Sequence, residues 1–312
     1  MCGIAGFTTS NLDNHTVKEY VDSFFKTLEY RGPDDKGFVL VDDYALVHRR
    51  LSIRGGDEAS QPIHTLDGRY VIVYNGELYN LSYLVDVLAA NQIDAEFKSS
   101  DTYILMLWIS LFGVSRIDEL EGTFAIAVYD RHTKRLYLTR DRLGVKPLFY
   151  TEDTSIAYGV FGFASELGSL VSTLKSKIQL DNQFLSEYMW FGSGCSDGTI
   201  YSGIRSVPPG STVSISCDGI SIKKWFDLKS YYLNAKENKI DLHQALSDAV
   251  NRQTVSDVPI GIFLSGGIDS SLITALVSNK ANNISTFTAD FDAGSIHEHK
   301  IASDTAGIAN LP

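Results

Sequence analysis

A cysteine stands directly behind the first methionine, in the opening segment MCGIAGF. If Met1 is removed, Cys2 carries both a thiol and a free α-amine, whose ordinary pKa is about 7.7–8.0. An amine that titrates near neutrality can take the proton of its own side chain, so the thiol becomes a nucleophile without a histidine. A cysteine here can also be a small buried hydrophobic residue. Position alone leaves both interpretations open.

A segment rich in glycine and serine, FLSGGIDSS, occupies residues 263–271. It follows an apolar strand pattern and begins a helical one, which is where backbone N–H groups and the helix dipole bind anions. Gly266 and Gly267 let the backbone approach such an anion closely. The segment lacks the Gly-Lys-Ser/Thr ending of a Walker A loop. A tight turn with a serine cap is the alternative, but the whole string in its strand–helix context favours a pyrophosphate site.

Two shorter motifs could supply further polar groups. In YNGELYN, the Asn75 amide adjoins the N–H of Gly76, and such a pair can hold an oxyanion. Asn-Gly is also the strongest short signal for a hairpin turn. In HRRLSI, Arg50 offers a planar fork for a carboxylate, although arginines are also ordinary surface residues. Taken singly, each motif favours its structural interpretation.

Composition limits the classes of protein to consider. The 312 residues are 44% hydrophobic and 21% charged, which is typical of a globular protein long enough for two domains. A net charge of −11 argues against nucleic acid or an anionic membrane as a partner. The three cysteines, Cys2, Cys195 and Cys217, match neither a disulfide framework nor a zinc site, and no metal site is predicted. Without a signal peptide or membrane-spanning run, a cytoplasmic location is expected.

The elements that must position these groups follow from hydrophobic periodicity. In residues 1–206, TVKEYVDSFFKTL has helical spacing, and DTYILMLWISLF predicts a buried helix with Asp101 at its start. RYVIVYNGELYN predicts a strand that runs into a turn, and TFAIAVYDRHTKRLYLTRD predicts a hairpin. Hairpins interleaved with helices predict an α+β domain of stacked antiparallel sheets with helices on the outer faces.

The remainder of the chain has a different pattern. Residues 207–239 predict two short strands around Asp218-Gly219, followed by a polar linker. Residues 240–312 give a helix, a strand, the glycine loop, a helix and a strand, which is a parallel β-α-β unit of an α/β domain.

Considered together, the motifs resemble a known family. In chain order they are MCGIAGF, RGPDDKG, HRRLSI, QPI, YNGELYN, SDT, LEGTFAIAVYD, RDRLGVKPLFY and FASE. This series resembles glutamine-dependent asparagine synthetases, whose N-terminal half is a class II glutamine amidotransferase of the N-terminal-nucleophile hydrolase fold. SDVPIGIFLSGGIDSSLITAL resembles their ATP pyrophosphatase domain. The resemblance extends from Met1 to about Ala302 and favours the nucleophile interpretation of Cys2.

The resemblance implies roles for the residues that match its motifs. Cys2 would attack the side-chain amide of glutamine, with Asn75 and the Gly76 N–H on the oxyanion. Ammonia would then cross an internal tunnel to a carboxylate that Mg²⁺-ATP has activated as an acyl-adenylate. The implied glutamine-binding residues are Arg50 on the α-carboxylate, Asp101 on the α-ammonium, and Leu51, Ser52, Ile53 and Glu77. The implied nucleotide and pyrophosphate residues are Leu264, Ser265, Gly266, Gly267, Asp269, Ser270, Ser271 and Ala289. The histidines His15, His48 and His64 are interpreted as surface residues, and Cys195 and Cys217 as unreactive thiols.

The sequence also departs from the family pattern. RGGDEASQP follows Ile53, where the family commonly has an acidic residue soon after the isoleucine, and His297 precedes Glu298, where the family usually has an aspartate, so Glu298 receives no role. The chain stops at GIANLP, where the family continues. A β-α-β piece of this size cannot bury both faces of a parallel sheet, so we expect a fragment or an incomplete synthetase half.

Three functions remain open. The favoured one is an ATP-dependent amidotransferase that converts aspartate to asparagine. The same chemistry could amidate another carboxylate, such as a sugar acid in polysaccharide synthesis. The third is a glutaminase-only or non-catalytic fragment that binds glutamine or a partner. The expected partners are small molecules, with a homodimer as a further option.

Overall fold

Two units make up the fold, Met1–Ala235 and Lys236–Pro312. The computed structural model describes residues 1–177, 179–234, 240–278, 284–289 and 298–312. Residues 235–239 of the predicted linker and the end of the predicted strand STFTADF at residues 290–291 lie outside the described residues, as does the side chain of Glu298.

The first unit contains two six-stranded antiparallel sheets. Numbered along the chain, its strands are β1 (Gly3–Thr8), β2 (Asp35–Val41), β3 (Tyr44–Arg50), β4 (Ile63–His64), β5 (Tyr70–Leu78), β6 (Gly122–Asp130), β7 (Arg135–Arg140), β8 (Phe149–Thr151), β9 (Gly162–Ala164), β10 (Ile204–Ser206), β11 (Ser211–Ser216) and β12 (Gly219–Lys224). The first sheet has the order β10-β8-β9-β1-β3-β2, and the second has the order β12-β11-β7-β6-β5-β4.

The first unit also contains helices, of which the first four in the chain pack on the outer faces of the sheets. The helices are α1 (Asn14–Thr27), α2 (Leu81–Ala90), α3 (Asp101–Phe112), α4 (Leu167–Thr173), α5 (Asn182–Phe191) and α6 (Leu228–Leu233), with single 3₁₀ turns at 57–59, 117–119 and 154–157. The Asp13 carboxylate caps α1 by accepting from the Thr16 N–H over 2.7 Å, and the Ser100 hydroxyl caps α3. A glycine with positive φ, Gly113, ends α3.

Side chains that alternate between the two faces of each sheet form the apolar layers of this unit. On β5, Val71 and Val73 pack into a cluster with residues of both sheets, whereas Ile72 and Tyr74 pack against α2 and α3. A third cluster joins α1 and α4 to the other side of the first sheet. Successive side chains of a strand point to opposite faces, so each sheet buries apolar residues on both. The predicted fold class, stacked antiparallel sheets with flanking helices, is confirmed.

The Asn-Gly segment differs from the predicted turn. Strand β5 continues through it to Leu78, because Asn75 and Gly76 pair with Ala125 and Phe124 of β6. Ladder hydrogen bonds therefore prevail over the turn preference of this dipeptide.

The first unit also extends past the boundary predicted at Ser206. The strand pair around Asp218-Gly219 forms as expected, but β11 pairs with β7, so β11 and β12 complete the second sheet. Part of the predicted linker is helical in α6, where the Asp227 carboxylate accepts from the Ser230 N–H.

In the described residues of the second unit, one parallel β-α-β element has a helix before it and a helix after it in the chain. The elements of this unit are α7 (Leu242–Gln253), β13 (Ile260–Phe263), α8 (Ile268–Ser278), β14 (Ile284–Phe287) and α9 (Glu298–Ile308). The two strands are parallel, with Ile260 opposite Ile284. Ile262, Val277 and Ile284 form its small buried cluster. The predicted parallel sheet is confirmed within the described residues.

Candidate active site

The thiol of Cys2 lies against the backbone just past the end of β3. The Leu51 N–H donates to Sγ over 3.4 Å, and Sγ lies 3.7 Å from the Leu51 carbonyl oxygen. Burial raises the pKa of this thiol, while the Leu51 N–H and the Arg50 charge oppose the rise. Only a thiolate is a strong nucleophile. The protonated Cys2 thiol therefore needs a base before it can attack.

Strand β5 presents a side-chain amide and a backbone N–H in succession. Asn75 is 1% exposed, and its Nδ2 has no hydrogen-bond partner among the described residues. Such an unsatisfied buried donor costs about 1–3 kcal/mol, so it calls for an explanation such as a missing ligand atom. At Gly76 a Cβ would lie 2.4 Å from the Thr123 carbonyl oxygen and 2.7 Å from the Tyr74 ring, which excludes a side chain. This arrangement can hold an oxyanion.

The side chain of Gln61 fixes the backbone just before Asn75. Its Oε1 accepts from the Tyr74 N–H over 2.6 Å, and its Nε2 donates to the Tyr74 carbonyl oxygen over 3.2 Å. These are the hydrogen bonds that a neighbouring strand would make, and the pairing of β4 with β5 reaches only to Ile72. The Gln61 amide thus continues the sheet edge for one more residue.

Two buried charges of opposite sign are available to an amino-acid ligand. Arg50 is 8% exposed, and its Nη2 donates to the carbonyl oxygens of Gly55 and Gly56 over 2.8 and 2.9 Å. Asp101, 4% exposed, begins α3 and accepts a 2.8 Å hydrogen bond from the Tyr74 hydroxyl. Burial raises the pKa of Asp101, and the Tyr74 hydrogen bond opposes the rise. A guanidinium and a carboxylate complement the α-carboxylate and α-ammonium of an amino acid.

One cavity brings most of these groups together. It is lined by Cys2, Arg50, Leu51, Arg54, Ala59, Gln61, Tyr74, Gly76, Glu77, Asp101 and Thr102. Six of the predicted site residues are among them: Cys2, Arg50, Leu51, Gly76, Glu77 and Asp101. Ser52 and Ile53 lie outside the lining; the Ser52 N–H donates to the Asp34 carboxylate over 2.7 Å, and the Ile53 N–H donates to the Leu51 carbonyl oxygen.

Several lining residues have no counterpart in the sequence prediction. Gln61, Tyr74 and Thr102 fall within the segments QPI, YNGELYN and SDT, so membership of a motif was the available signal. Arg54 pairs with Glu77 over 3.9 Å, and it lies in the segment where the sequence departs from the family pattern.

The segment RDRLGVKPLFY folds around a buried carboxylate. Asp141, 1% exposed, accepts between 2.9 and 3.1 Å from the backbone N–H groups of Phe124, Leu143, Val145 and Lys146. This loop brings the Lys146 ammonium within electrostatic range of Glu77 and Cys2. Burial lowers the pKa of Lys146, and Glu77 opposes the shift.

The interpretation of His48 as a surface residue is wrong. His48 is 1% exposed, and its Nε2 has no partner among the described residues. Burial lowers its pKa to about 3. Every residue of β3 is buried, because the strand lies inside its sheet between two apolar layers. His15 and His64 are exposed, as are the free thiols of Cys195 and Cys217.

In the second unit, the SGGIDSS loop joins β13 to α8. Gly266 has a φ of +77°, a conformation that favours glycine. The Ser265 and Ser270 hydroxyls lie 3.1 Å apart, and the Gly267 N–H faces the Ser265 hydroxyl over 3.5 Å. Asp269 occupies the first turn of α8, and Ser271 follows Ser270 in the same turn. The loop gathers hydroxyls and N–H groups at a helix start, which suits an anion.

The parallel strands bring Leu264 and Ala289 to the same edge of the sheet. The Leu264 N–H donates to the Phe287 carbonyl oxygen over 2.9 Å, and the Thr288 hydroxyl donates to the Leu264 carbonyl oxygen over 2.8 Å. Ligands of open parallel sheets bind outside the carboxyl ends of the strands. Leu264, the loop and Ala289 all follow those ends.

The described residues contain neither a helix suited to span a membrane nor a cluster of metal-ligating side chains. None of the helices there is both long and apolar enough to cross a membrane. In the same part of the chain, no three histidine, cysteine, aspartate or glutamate side chains are grouped as they would be around a metal ion.

Comparisons with known proteins agree with the two units. Residues 1–226 match the glutamine amidotransferase domain family, and residues 241–311 match the asparagine synthase family. The chain is 36% identical over 283 residues to asparagine synthetase [glutamine-hydrolyzing] 3 of Bacillus subtilis, covering 89% of this chain and 45% of that protein. It is 32% identical over 319 residues to asparagine synthetase [glutamine-hydrolyzing] 1 of the same organism, covering 100% of this chain and 50% of that protein.

These relatives are longer than this chain, which spans about half of their length. Among solved structures, the fold is similar to glutamine phosphoribosylpyrophosphate amidotransferase from B. subtilis complexed with ADP and GMP. The TM-score is 0.52 at 16% identity, covering 92% of this chain and 65% of that one. This likeness shows the amidotransferase fold.

Proposed function

This chain belongs to the glutamine amidotransferase domain family, and from that premise we propose that its first unit hydrolyses glutamine to glutamate and ammonia. In the complete enzyme, the ammonia amidates an ATP-activated carboxylate, and the favoured acceptor is aspartate, which becomes asparagine. The names of the relatives support this acceptor, and the match of residues 241–311 supports the synthetase half. The reaction takes place in the cytoplasm.

The proposed glutaminase step begins with removal of Met1. The freed α-amine of Cys2 takes the thiol proton, and Sγ attacks the side-chain carbonyl carbon of glutamine. Asn75 Nδ2 and the Gly76 N–H stabilise the oxyanion of the tetrahedral intermediate. The C–N bond breaks as the amine returns the proton, ammonia leaves, and water hydrolyses the thioester to glutamate. Arg50 binds the α-carboxylate and Asp101 the α-ammonium throughout.

The proposed synthetase step uses the second unit. The SGGIDSS loop holds the pyrophosphate that leaves when the acceptor carboxylate attacks the α-phosphate of ATP. Leu264 and Ala289 flank the nucleotide at the strand ends. Ammonia then attacks the acyl-adenylate carbon, forming the amide and releasing AMP. Mg²⁺ is proposed as part of the nucleotide substrate.

The observation that carries the proposal is the cavity beside Cys2. It combines a thiol, a guanidinium and a carboxylate with the backbone of Gly76, next to a buried amide Nδ2 that lacks a partner among the described residues. The thiol reacts, the two charges match an amino acid, and the unpaired donor matches an oxyanion. No one of these features suffices alone.

A glutaminase assay tests the first step. The purified chain is expected to release equal amounts of glutamate and ammonia from glutamine, and its intact mass should lack Met1. Cys2→Ala should abolish release, whereas Cys195→Ala, which removes an exposed thiol, should not. Undiminished activity in Cys2→Ala, or in protein that retains Met1, would overturn the mechanism.

The acceptor needs a separate assay. It is run on the complete enzyme, because this chain spans about half the length of its relatives. With ammonium, Mg²⁺-ATP and aspartate, formation of asparagine and pyrophosphate in equal amounts supports the favoured acceptor. A panel of other carboxylates, sugar acids included, runs in parallel, and pyrophosphate release with one of these alone replaces aspartate. Light scattering on the same preparation establishes whether two copies assemble.

A further inference from the structure

A partly buried ion pair connects the nucleophile to the residue that precedes α4. The Arg31 side chain is 6% exposed, and its Nε donates to the Cys2 carbonyl oxygen over 3.0 Å. Its Nη1 pairs with the Glu166 carboxylate. Its Nη2 lies 3.9 Å from the sulfur of Met1. One guanidinium therefore touches the residue that reacts, the residue before it and a carboxylate from a distant part of the chain.

Glu166 belongs to a segment that is hydrogen-bonded to the start of β1. The neighbouring Ser165 donates its N–H to the Ile4 carbonyl oxygen over 2.8 Å, and its hydroxyl accepts from the Ile4 N–H over 3.0 Å. Ala164 pairs with Ala5 in the β9–β1 ladder. The chain from Cys2 to Ala5 is thus held by consecutive residues 164–166, with Arg31 as the bridge to Cys2.

Charged groups from separate parts of the chain act on the terminal amine, which belongs to Met1. Burial lowers the pKa of the terminal amine; the Cys2 thiol and Asp34 oppose the shift, and the cations of Arg31 and Lys146 add to it. The groups that act on the Cys2 thiol are the terminal amine, Arg50 and Asp101. Arg31 differs from the other groups near the amine, because it also hydrogen-bonds to the Cys2 backbone.

We propose that Arg31 and Glu166 act together as positioning residues for the amine of Cys2: Arg31 fixes the Cys2 backbone and presents a cation to the amine, and Glu166 moderates that cation. This proposal rests on the proposed glutaminase function. Once Met1 is gone, Arg31 Nη2 loses its sulfur neighbour, while Nε keeps its hydrogen bond to the carbonyl of the residue whose amine is freed. A nearby cation disfavours the protonated form of an amine. The base that the thiol requires is thereby kept unprotonated at a lower pH.

The two members of the pair have opposite electrostatic effects. Removing Arg31 takes away the cation that disfavours protonation of the amine and leaves Glu166 without its partner, so the amine holds its proton more tightly. Removing the Glu166 charge leaves an uncompensated cation, so the proton is released more easily. The sign is the same whether the proton lost belongs to the amine or to the thiol of Cys2, because a cation favours the less positive state in both cases.

The test is the pH dependence of kcat/KM for glutamine. The midpoint of its acidic limb reports the pKa of the essential base in the free enzyme. Arg31→Gln is expected to move its midpoint up by about 0.5–1 pH unit, and Glu166→Gln down by a similar amount. Arg31→Lys keeps the positive charge but loses the planar guanidinium, which bonds to Cys2 and Glu166 at once. Its midpoint should therefore stay near that of wild type, while kcat/KM falls by about 10-fold. Asp130→Asn, which breaks the partly buried Arg69–Asp130 pair of the other sheet, is the matched control and should leave the midpoint unchanged.

The outcomes separate the two proposals. If wild-type protein releases no glutamate, the proposed function fails and the limb cannot be measured. If wild-type protein is active and both Gln variants move the midpoint in the same direction or not at all, the positioning role fails and the function stands. An upward shift of the midpoint in Arg31→Gln together with a downward shift in Glu166→Gln supports both the function and the positioning role. Melting temperatures of all four variants identify a simple loss of fold, which would lower activity without moving a midpoint.

Discussion

The hydroxyl of Tyr74 donates to the carboxylate of Asp101 over 2.8 Å, and both side chains are buried. The same carboxylate oxygen accepts from the Leu78 N–H over 3.3 Å. Burial raises the pKa of Asp101 despite these two donors. A buried charge with no cation bonded to it destabilises a fold. We infer that the charge is retained for its ligand.

Asp101→Asn is therefore expected to stabilise the protein while it weakens glutamine binding. Because the folded pKa lies above the ordinary 3.8, the folded state binds more protons than the unfolded state in that interval, so wild-type stability falls as pH rises through it. The two proteins are compared at neutral pH. There the melting temperature of Asp101→Asn should exceed that of wild type by roughly 2–4 °C, the response to about 1 kcal/mol in a unit of this size.

Calorimetry at acidic and neutral pH checks the sign, because the advantage of Asp101→Asn should shrink in acid. Tyr74→Phe is the companion variant. It removes a donor to the charged form, so the KM for glutamine should rise and the melting temperature at neutral pH should fall. A less stable Asp101→Asn at neutral pH would show that the carboxylate has a structural role.

Asn75→Ala should separate activity from stability at a second position. If Nδ2 stabilises the oxyanion, its loss should lower kcat by about 10²–10³-fold and leave KM nearly unchanged. Removing an unpaired buried donor should cost little stability, since no hydrogen bond of Nδ2 is lost within the described residues. Steady-state kinetics and a thermal melt give both numbers. A large rise in KM with kcat preserved would instead place Asn75 in ground-state binding.

Many of the helices, strands and site residues could be predicted from the sequence, because local patterns determine them. The apolar run of α3 and the hairpin of β6 and β7 follow from periodicity alone. The motif order gave Cys2, Arg50 and Asp101, which line one cavity. Their sequence separation gave no indication of that proximity, and the resemblance supplied it.

Other features depend on tertiary partners that a sequence pattern does not contain. Asn75-Gly76 is a turn signal, yet β6 pairs with it and keeps it extended. His48 resembles a surface histidine, yet neighbouring strands bury it. The use of the Gln61 amide as a substitute strand edge depends on where β4 stops. In each case a distant segment decides the environment.

The burial of His48 predicts a specific weakness in acid. Its folded pKa of about 3 lies below the unfolded value of 6.5, so the unfolded state binds more protons between those values, and stability falls as pH drops below 6.5. At pH 5 this amounts to about 2 kcal/mol, from 1.36 kcal/mol per pH unit. In His48→Gln this acid-dependent loss of stability should be absent. Its free energy of unfolding should change less than that of wild type between pH 7 and pH 5.

Urea unfolding at the two pH values measures the difference. His64→Gln replaces an exposed histidine and serves as the control, with a pH dependence close to wild type. Equal pH dependence in all three proteins would mean that His48 is already protonated in the folded state at pH 5.

The last prediction concerns the SGGIDSS loop. Gly266 has a φ of +77°, where a Cβ costs about 1–2 kcal/mol, so Gly266→Ala should shift the loop away from the arrangement that gathers the Ser265 and Ser270 hydroxyls. Pyrophosphate affinity, measured by calorimetry on the whole chain, should fall about 10-fold or more. Gly219→Ala is the matched control, because Gly219 has a φ of +116° at an exposed hairpin and a Cβ there meets no atom within 4 Å. Circular dichroism confirms that each variant is folded. Backbone N–H groups at a helix start bind an anion only when the loop conformation points them toward it. Unchanged affinity in Gly266→Ala would therefore show that pyrophosphate binds elsewhere.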